Sequence, residues 1–160
     1  MSTRRDTLND TGAVHPMVLL RHDLPSGEWH YDWMLQPAAE APLVAFRVDV
    51  RLDDAREIAP RRRFDAVRLP DHRAAYLEYQ GPVGPALHGG QMGERGRVLR
   101  LAAGTCRIER LDADDADILF CFTGGRAARA VGRRESEAES GTGGGNAGKM
   151  CQRVWKFCLC

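Results

Sequence analysis

The sequence predicts an all-β protein, a small antiparallel β-barrel with long loops and a disordered C-terminal insert. Three observations support this prediction. Short apolar, β-prone runs such as Met17–Leu20 and Leu43–Val50 recur along the chain. Segments containing glycine, proline, serine or aspartate separate these runs at short intervals, as turns do. Helical periodicity is almost absent, and many short strands with frequent turns are typical of antiparallel barrels and sandwiches.

The composition is that of an ordinary soluble domain. The chain has 160 residues, of which 43% are hydrophobic and 28% charged, and its formal net charge is +1. A chain of this length can bury one core, and so small a net charge gives no overall field that selects a polyanionic partner. No apolar run is long enough to span a bilayer, and the polar N-terminus does not resemble a signal peptide. We therefore expect a cytoplasmic monomer that does not bind membranes.

The stretch Met17–Gln36 predicts a β-hairpin. Residues 23–28 contain proline, serine and glycine where a turn is expected, and β-prone segments flank them. Successive side chains in a strand point to opposite faces. His30 and Asp32 therefore share one face of the second strand, and the other face is aromatic and aliphatic. His22, at the end of the first strand, should lie beside His30.

The rest of the chain predicts one folded body with less ordered ends. Composition and patterning divide the sequence into a flexible leader (1–14), a β-domain (15–123), a disordered linker rich in glycine, serine and glutamate (124–149), and a closing strand or tail (150–160).

Within the β-domain, the local sequence indicates further strands and loops. Leu43–Val50 continues the sheet after the hairpin. Residues 51–63 are charged and predict a surface loop, and residues 81–96 are rich in glycine and proline and predict another. Residues 102–104, which read Ala-Ala-Gly, predict the turn of a second hairpin over residues 97–111.

The polar face of the first hairpin predicts a divalent-metal site. His30 and Asp32 stand at i and i+2 of one strand, so both can hold one ion, and His22 supplies a third ligand. Imidazole and carboxylate ligands suit Mn²⁺, Zn²⁺ or Fe²⁺, and three protein ligands leave positions open for water or substrate. The spacing alone leaves a second interpretation open, in which His30 and Asp32 form an ion pair on a solvated face.

The order of several motifs resembles one known family. These motifs are His22, His30-Tyr31-Asp32, Asp71-His72 with Tyr76, Gly81, the run GQMGERGRV at 90–98, and Gly104-Thr105. In this order they resemble the 3′-phosphoesterase domain of bacterial DNA ligase D, and specifically its short stand-alone relatives. The similarity covers residues 18–123. The His-x-Asp strand together with the Asp-His-x-x-x-Tyr segment is more specific than either motif alone.

The resemblance implies a Mn²⁺-dependent enzyme with a small β-barrel fold that processes 3′ ends of DNA in repair and end joining. Such enzymes remove a 3′-terminal ribonucleoside and then the 3′-phosphate, which leaves a hydroxyl for a polymerase or ligase. By motif, His22, His30 and Asp32 correspond to the metal ligands. His72 and Tyr76 correspond to catalytic residues that contact the scissile phosphate. The implied partners are the 3′ ends of primer–template or nicked duplex DNA, with a DNA ligase or polymerase as the protein partner.

The sequence differs from the family pattern at three positions. Met34 stands where the family has an arginine, and Gln36 stands where it has a glutamate. The lysine expected near the end of the third strand is matched only by Arg51, which is therefore the expected phosphate-binding residue. Zn²⁺ or another divalent ion is an alternative to Mn²⁺.

Two functions from other classes also fit the residues. A non-haem iron oxygenase uses a His-x-Asp pair together with a distal histidine, here His72 or His88, and an arginine beyond it, here Arg95 or Arg100. A non-catalytic module would hold DNA ends with its arginines and show salt-dependent binding without cleavage.

Overall fold

A computed structural model describes residues 12–136 and 153–160 of the chain, and the structural statements below refer to these residues. They form nine strands and two short helices. In chain order the elements are β1 (His15–Asp23), β2 (Trp29–Leu35), β3 (Leu43–Val48), α1 (Ala55–Arg61), β4 (Arg63–His72), a 3₁₀ helix (Ala74–Leu77), β5 (Gly81–Pro82), β6 (Arg97–Leu111), β7 (Asp115–Phe122), β8 (Ala128–Arg134) and β9 (Val154–Leu159).

The strands form one antiparallel sheet that closes on itself. Its order is β1-β2-β3-β4-β9-β8-β7-β6-β5, and β1 also pairs with β6. This additional pairing closes the sheet into a ring, so the long strands have neighbours on both sides and do not present unpaired edges. The predicted all-β antiparallel class is therefore confirmed. Within residues 150–160, where a closing strand or a tail was expected, Val154–Leu159 forms β9, which pairs with β4 and β8.

Trp33 on β2 lies at the centre of the main core. Its side chain has no exposed surface. The ring packs edge-on against Phe64, Phe120 and Phe157, with centroid separations of 6.1, 5.1 and 6.1 Å. Such aromatic pairs are each worth about 0.5–1.5 kcal/mol beyond the area they bury. The face of β2 that carries Trp33 thus points into the ring, and His30 and Asp32 lie on the opposite face.

A second apolar cluster covers that opposite face of β1, β2 and β3. Tyr76 and Leu77 of the 3₁₀ helix pack against it, and the segment between this helix and β6 contributes Val83. Val18 and Leu20 precede His22 on the same face, so this cluster is continuous with the polar end of the hairpin. The buried members are Val18, Leu20, Met34, Leu43, Ala45, Val83 and Val98.

The predicted hairpin over residues 97–111 is wrong. These residues form one strand, β6, which pairs with β1 through His15–Asp23 and with β7 from Gly104 onward. Gly104 lies inside this strand and not in a turn. A Cβ there would lie 2.1 Å from the carbonyl oxygen of Cys121 on the neighbouring strand. The glycine permits close backbone approach inside a strand, which the sequence pattern does not distinguish from a turn.

Two other segments differ from their predictions. Ala128–Arg134 lies in the predicted disordered linker but forms β8, held by pairing with β7 and β9; residues 137–149 of that linker lie outside the described part. The predicted surface loop at 51–63 contains α1, which begins at the N-cap Asp54. None of the residues of α1 is buried, so the helix has no apolar stripe to signal it. No described helix has the length and apolar character needed to cross a membrane.

Candidate metal centre

The register of the first hairpin brings two histidines and one aspartate together. In the β1–β2 pairing, His22 lies opposite His30, and Leu20 lies opposite Asp32. Residues i and i+2 of a strand share a face, so all three polar side chains point away from the core around Trp33. The structure thus places His22, His30 and Asp32 together, as the sequence predicted.

The distances within this cluster suit a shared cation. Nδ1 of His22 lies 3.5 Å from Oδ2 of Asp32, and Nε2 of His30 lies 3.3 Å from Oδ1 of the same carboxylate. The two rings meet edge-on with centroids 4.9 Å apart. Two ligand atoms each bound to one ion at about 2.0–2.2 Å lie roughly 3–3.5 Å from each other. One ligand atom from each residue falls within 4.8 Å of the others, so the cluster can hold a metal ion.

Asp32 is the buried member of the cluster. It is 2% exposed, and its Oδ1 accepts no hydrogen bond from the described residues. Burial alone would raise the pKa of Asp32, but its contacts with His22 and His30 outweigh burial and lower that pKa. The carboxylate is therefore ionised at neutral pH, and its buried Oδ1, although 3.3 Å from Nε2 of His30, accepts no hydrogen bond of regular geometry. A cation between the three residues would satisfy this oxygen, which is the observation that makes the donor set fit a divalent ion.

His22 is oriented by the loop that precedes β6. Its Nε2 lies 2.6 Å from the carbonyl oxygen of Arg95. A carbonyl only accepts hydrogen bonds, so Nε2 carries the proton and Nδ1 faces Asp32. Contact with Asp32 raises the pKa of His22 and the Arg95 carbonyl adds to this, while burial and the charge of Arg47 act in the opposite direction. A backbone carbonyl on the second ring nitrogen is a common support for histidines that bind metals.

Gly96 permits this support. Its φ is +99°, and a Cβ there would lie 2.1 Å from the carbonyl oxygen of Asp23 and 3.0 Å from Nε2 of His22. Only a residue without a side chain fits this space, and the positive φ also favours glycine. The sequence pattern predicts no more than a loop over residues 81–96. The structure shows that the end of this loop packs against a site residue.

Arg47 is a site residue that the sequence pattern did not reveal. It lies opposite Asp32 in the β2–β3 register and on the same face. Its Nε is buried and has no hydrogen-bond partner among the described residues. An anionic ligand beside the cluster would supply the missing acceptor. The available signal was one arginine in the otherwise apolar strand Leu43–Val48, but only the register shows what it faces.

His72 and Tyr76 lie on the same side of the sheet as the cluster but are not part of it. Nδ1 of His72 lies 2.8 Å from the carbonyl oxygen of Pro70, and its ring meets that of Tyr76 edge-on, with centroids 5.6 Å apart. His72 pairs with Leu43, four residues along β3 from Arg47. At about 3.3 Å per residue, this puts His72 roughly 13 Å along the strand from the level of Asp32.

The other residues named from the sequence are not members of the cluster. Arg51 forms two hydrogen bonds, of 2.9 and 3.0 Å, with the carboxylate of Asp53, so its guanidinium is already engaged. Met34 is 1% exposed and belongs to the second apolar cluster. His88 is exposed in the loop before β6. The third residue grouped with the His-x-Asp pair is therefore His22, and neither His72 nor His88 takes that place among the described residues.

Comparison with known proteins finds no family model and no curated protein sequence that matches the chain. The resemblance to the DNA ligase D phosphoesterase domain therefore stays a prediction from the motifs, and a function has to be inferred from the geometry of the site.

Proposed function

We propose that this protein is a metal-dependent phosphoesterase that processes 3′ ends of DNA. It would remove a 3′-terminal ribonucleoside and then a 3′-phosphate, in repair or end joining. The main observation in support is a cluster of His22, His30 and Asp32, with the unpartnered guanidinium Nε of Arg47 on the adjacent strand. A cation site next to an arginine whose buried Nε has no acceptor is an arrangement that suits a phosphate group.

In this proposal His22, His30 and Asp32 hold the ion. Mn²⁺ is the ion implied by the motifs, and Zn²⁺ is the alternative for the same mixed nitrogen and oxygen donors. A bound divalent ion supplies Lewis-acid chemistry at a phosphoryl oxygen. Asp32 provides the negative charge that favours a cation, and the carbonyl of Arg95 keeps His22 in the tautomer that presents Nδ1.

Arg47 binds the phosphate and neutralises charge that develops on its oxygens. Loss of one such preorganised donor typically lowers kcat by about 10²–10³-fold. The family resemblance implies that an arginine on β2 reaches the phosphate, but Met34 occupies that position and is buried among apolar side chains. In this chain we assign the phosphate-binding role to Arg47 on β3 instead. His72 and Tyr76, further along the same face, are proposed to contact the DNA.

A metal-titrated end-processing assay tests the proposal. A labelled primer annealed to a template carries either a 3′-phosphate or a single 3′-terminal ribonucleotide, and the purified protein is supplied with Mn²⁺, Zn²⁺ or a chelator. We expect turnover of both primers with a divalent ion and none with the chelator. His30→Ala should abolish turnover because it removes a ligand. His88→Asn is the matched control, since it removes an exposed imidazole and asparagine tolerates the positive φ of 51°.

Either of two results would refute the proposal: no turnover with any divalent ion, or full turnover by His30→Ala. Salt-dependent binding of DNA ends without turnover would instead support the non-catalytic module. Fe²⁺-dependent consumption of 2-oxoglutarate would support the oxygenase alternative.

A further inference from the structure

The outer face of the sheet carries two neighbouring thiols at β9. Side chains along this strand alternate between buried and exposed, and Trp155 and Phe157 are buried in the main core. Cys158 and Cys160 are exposed and belong to the other set. The backbone N–H of Cys160 donates to the carbonyl oxygen of Arg129 at 2.9 Å, so the pairing with β8 continues one residue past β9. The two thiols therefore stand side by side on one outward face.

The spacing of the two thiols disfavours a disulfide but suits a shared ion. Residues i and i+2 of a strand have Cα atoms about 6.6–6.8 Å apart, and their side chains point the same way, so their Cβ atoms are similarly separated. A disulfide needs Cβ atoms about 3.5–4.5 Å apart, and both cysteines are free. Two thiolates on opposite sides of one ion, at about 2.3 Å each, lie roughly 4.6 Å apart. The sulfurs reach this separation by leaning towards each other.

The number of available ligands selects the class of ion. Thiolates favour soft ions such as Cu⁺ and Zn²⁺. Zn²⁺ takes at least three protein ligands, but His22, His30 and Asp32 are the only three histidine, cysteine or acidic side chains that group together within the described part of the chain. The two thiols thus lack a third ligand of these types. Two sulfurs are sufficient for Cu⁺, which accepts linear coordination.

The charge beside the two thiols favours the complex that Cu⁺ forms. Two thiolates and one monovalent ion carry a single net negative charge. Arg63 is exposed and lies opposite Cys158 in the β4–β9 register, and its guanidinium has no ion-pair partner among the described residues. In the neighbouring pair of this register, Lys156 and Asp65 form an ion pair of 2.7 Å across the same two strands. An outward side chain of β4 can therefore reach one of β9, and Arg63 can stabilise the anionic complex.

We propose that Cys158 and Cys160 form a binding site for a soft monovalent metal ion of the Cu⁺ class. Binding replaces two S–H bonds with two sulfur–metal bonds and releases two protons, and the ion keeps its oxidation state. The site is separate from the cluster of His22, His30 and Asp32, since β9 lies three strands from β2 in the sheet. It does not depend on the proposed phosphoesterase activity.

Anaerobic titration of the full chain with Cu⁺, in competition with a chromophoric Cu⁺ chelator, tests the proposal. We expect one equivalent of Cu⁺ to bind, and X-ray absorption to show two sulfur donors. Cys158→Ser and Cys160→Ser should each lower the affinity by about 10²–10⁴-fold, the range for loss of one of two linked binding groups. Both side chains are exposed, so neither substitution disturbs the core.

Two other serine variants are the matched controls. Cys121→Ser removes a partly buried thiol on β7, and Cys151→Ser removes a thiol that lies outside the described residues. Both should bind Cu⁺ with the affinity of the unaltered protein. The proposal is overturned if no Cu⁺ is bound in competition, if only one of Cys158→Ser and Cys160→Ser loses affinity, or if either control loses as much. Predominantly nitrogen donors in the absorption spectrum would also overturn it, because they would place the ion at the histidines.

Discussion

Gly96→Ala should weaken metal binding without changing any ligand. The new Cβ would lie 2.1 Å from the carbonyl oxygen of Asp23 and 3.0 Å from Nε2 of His22, where ordinary contacts are 3.4 Å or longer. The loop must therefore move by about 1 Å, because the first of these contacts is with rigid backbone. That movement removes the Arg95 carbonyl from His22, whose hydrogen bond to it is 2.6 Å long.

Two magnitudes follow from this displacement. Overpacking of a well-packed region typically costs about 1–3 kcal/mol, and the positive φ adds strain for alanine. Loss of a hydrogen bond that orients a metal ligand typically lowers metal affinity by about 10–100-fold. We expect Gly96→Ala to show both effects, measured by urea unfolding of the metal-free protein and by calorimetric titration with Mn²⁺.

Gly27→Ala is the matched control for this experiment. Gly27 has a φ of +90°, but no atom lies within 4 Å of the position that a Cβ would take, so alanine there adds backbone strain without a clash. It should lose some stability but bind Mn²⁺ with the affinity of the unaltered protein. If Gly96→Ala also binds Mn²⁺ with unaltered affinity, the Arg95 carbonyl does not support His22 and the reasoning is refuted.

Three further predictions concern pH, charge and packing. The pKa of His22 is raised in the metal-free fold, so protonated His22 stabilises the fold at pH values below its unfolded-state pKa of about 6.5. This contribution to stability is lost as the pH rises through the raised pKa. Urea unfolding in the presence of chelator should therefore show stability falling with rising pH in this window, and His22→Gln should remove the fall. Asp32, whose pKa is lowered, stays ionised throughout. Arg47→Met should lower kcat/KM on a 3′-phosphate by about 10²–10³-fold with little change in Mn²⁺ affinity. Arg51→Met, which breaks only an ion pair with Asp53, should have a small effect on kcat/KM. Equal losses in the two variants would contradict the placement of the phosphate beside Arg47. Trp33→Ala should destabilise the protein by about 3–5 kcal/mol in thermal or urea unfolding, and a loss below about 1 kcal/mol would show that the core around it is not as described.

Local patterns were sufficient for the first hairpin. The alternation from Trp29 onward fixes which side chains point inward, and the turn residues at 23–28 fix where the chain reverses, so the meeting of His22 with His30 could be predicted. These are short-range effects of strand geometry and turn chemistry. They do not depend on what the rest of the chain does.

Local patterns failed where neighbouring strands decided the outcome. Gly104 has the sequence character of a turn residue, but it lies within β6 and pairs with β7. A glycine is needed there because the backbone of β7 passes too close for a side chain. Ala128–Arg134 reads as linker because it contains little apolar surface, yet it has hydrogen-bonding partners on both sides. In both segments the adjacent strand decides the conformation. For β8, one of the two partner strands, β9, begins about twenty residues later in the sequence.

The amino-acid sequence alone specified the chemical groups at the site: two imidazoles and one carboxylate on one face of a hairpin, each placed by the two-residue period of a strand. Their surroundings came from the assembled sheet. The β2–β3 register put Arg47 beside Asp32, and closure of β6 onto β1 brought the loop carbonyl of Arg95 to His22. Periodicity acts within a strand, whereas register and closure depend on the packing of the whole sheet.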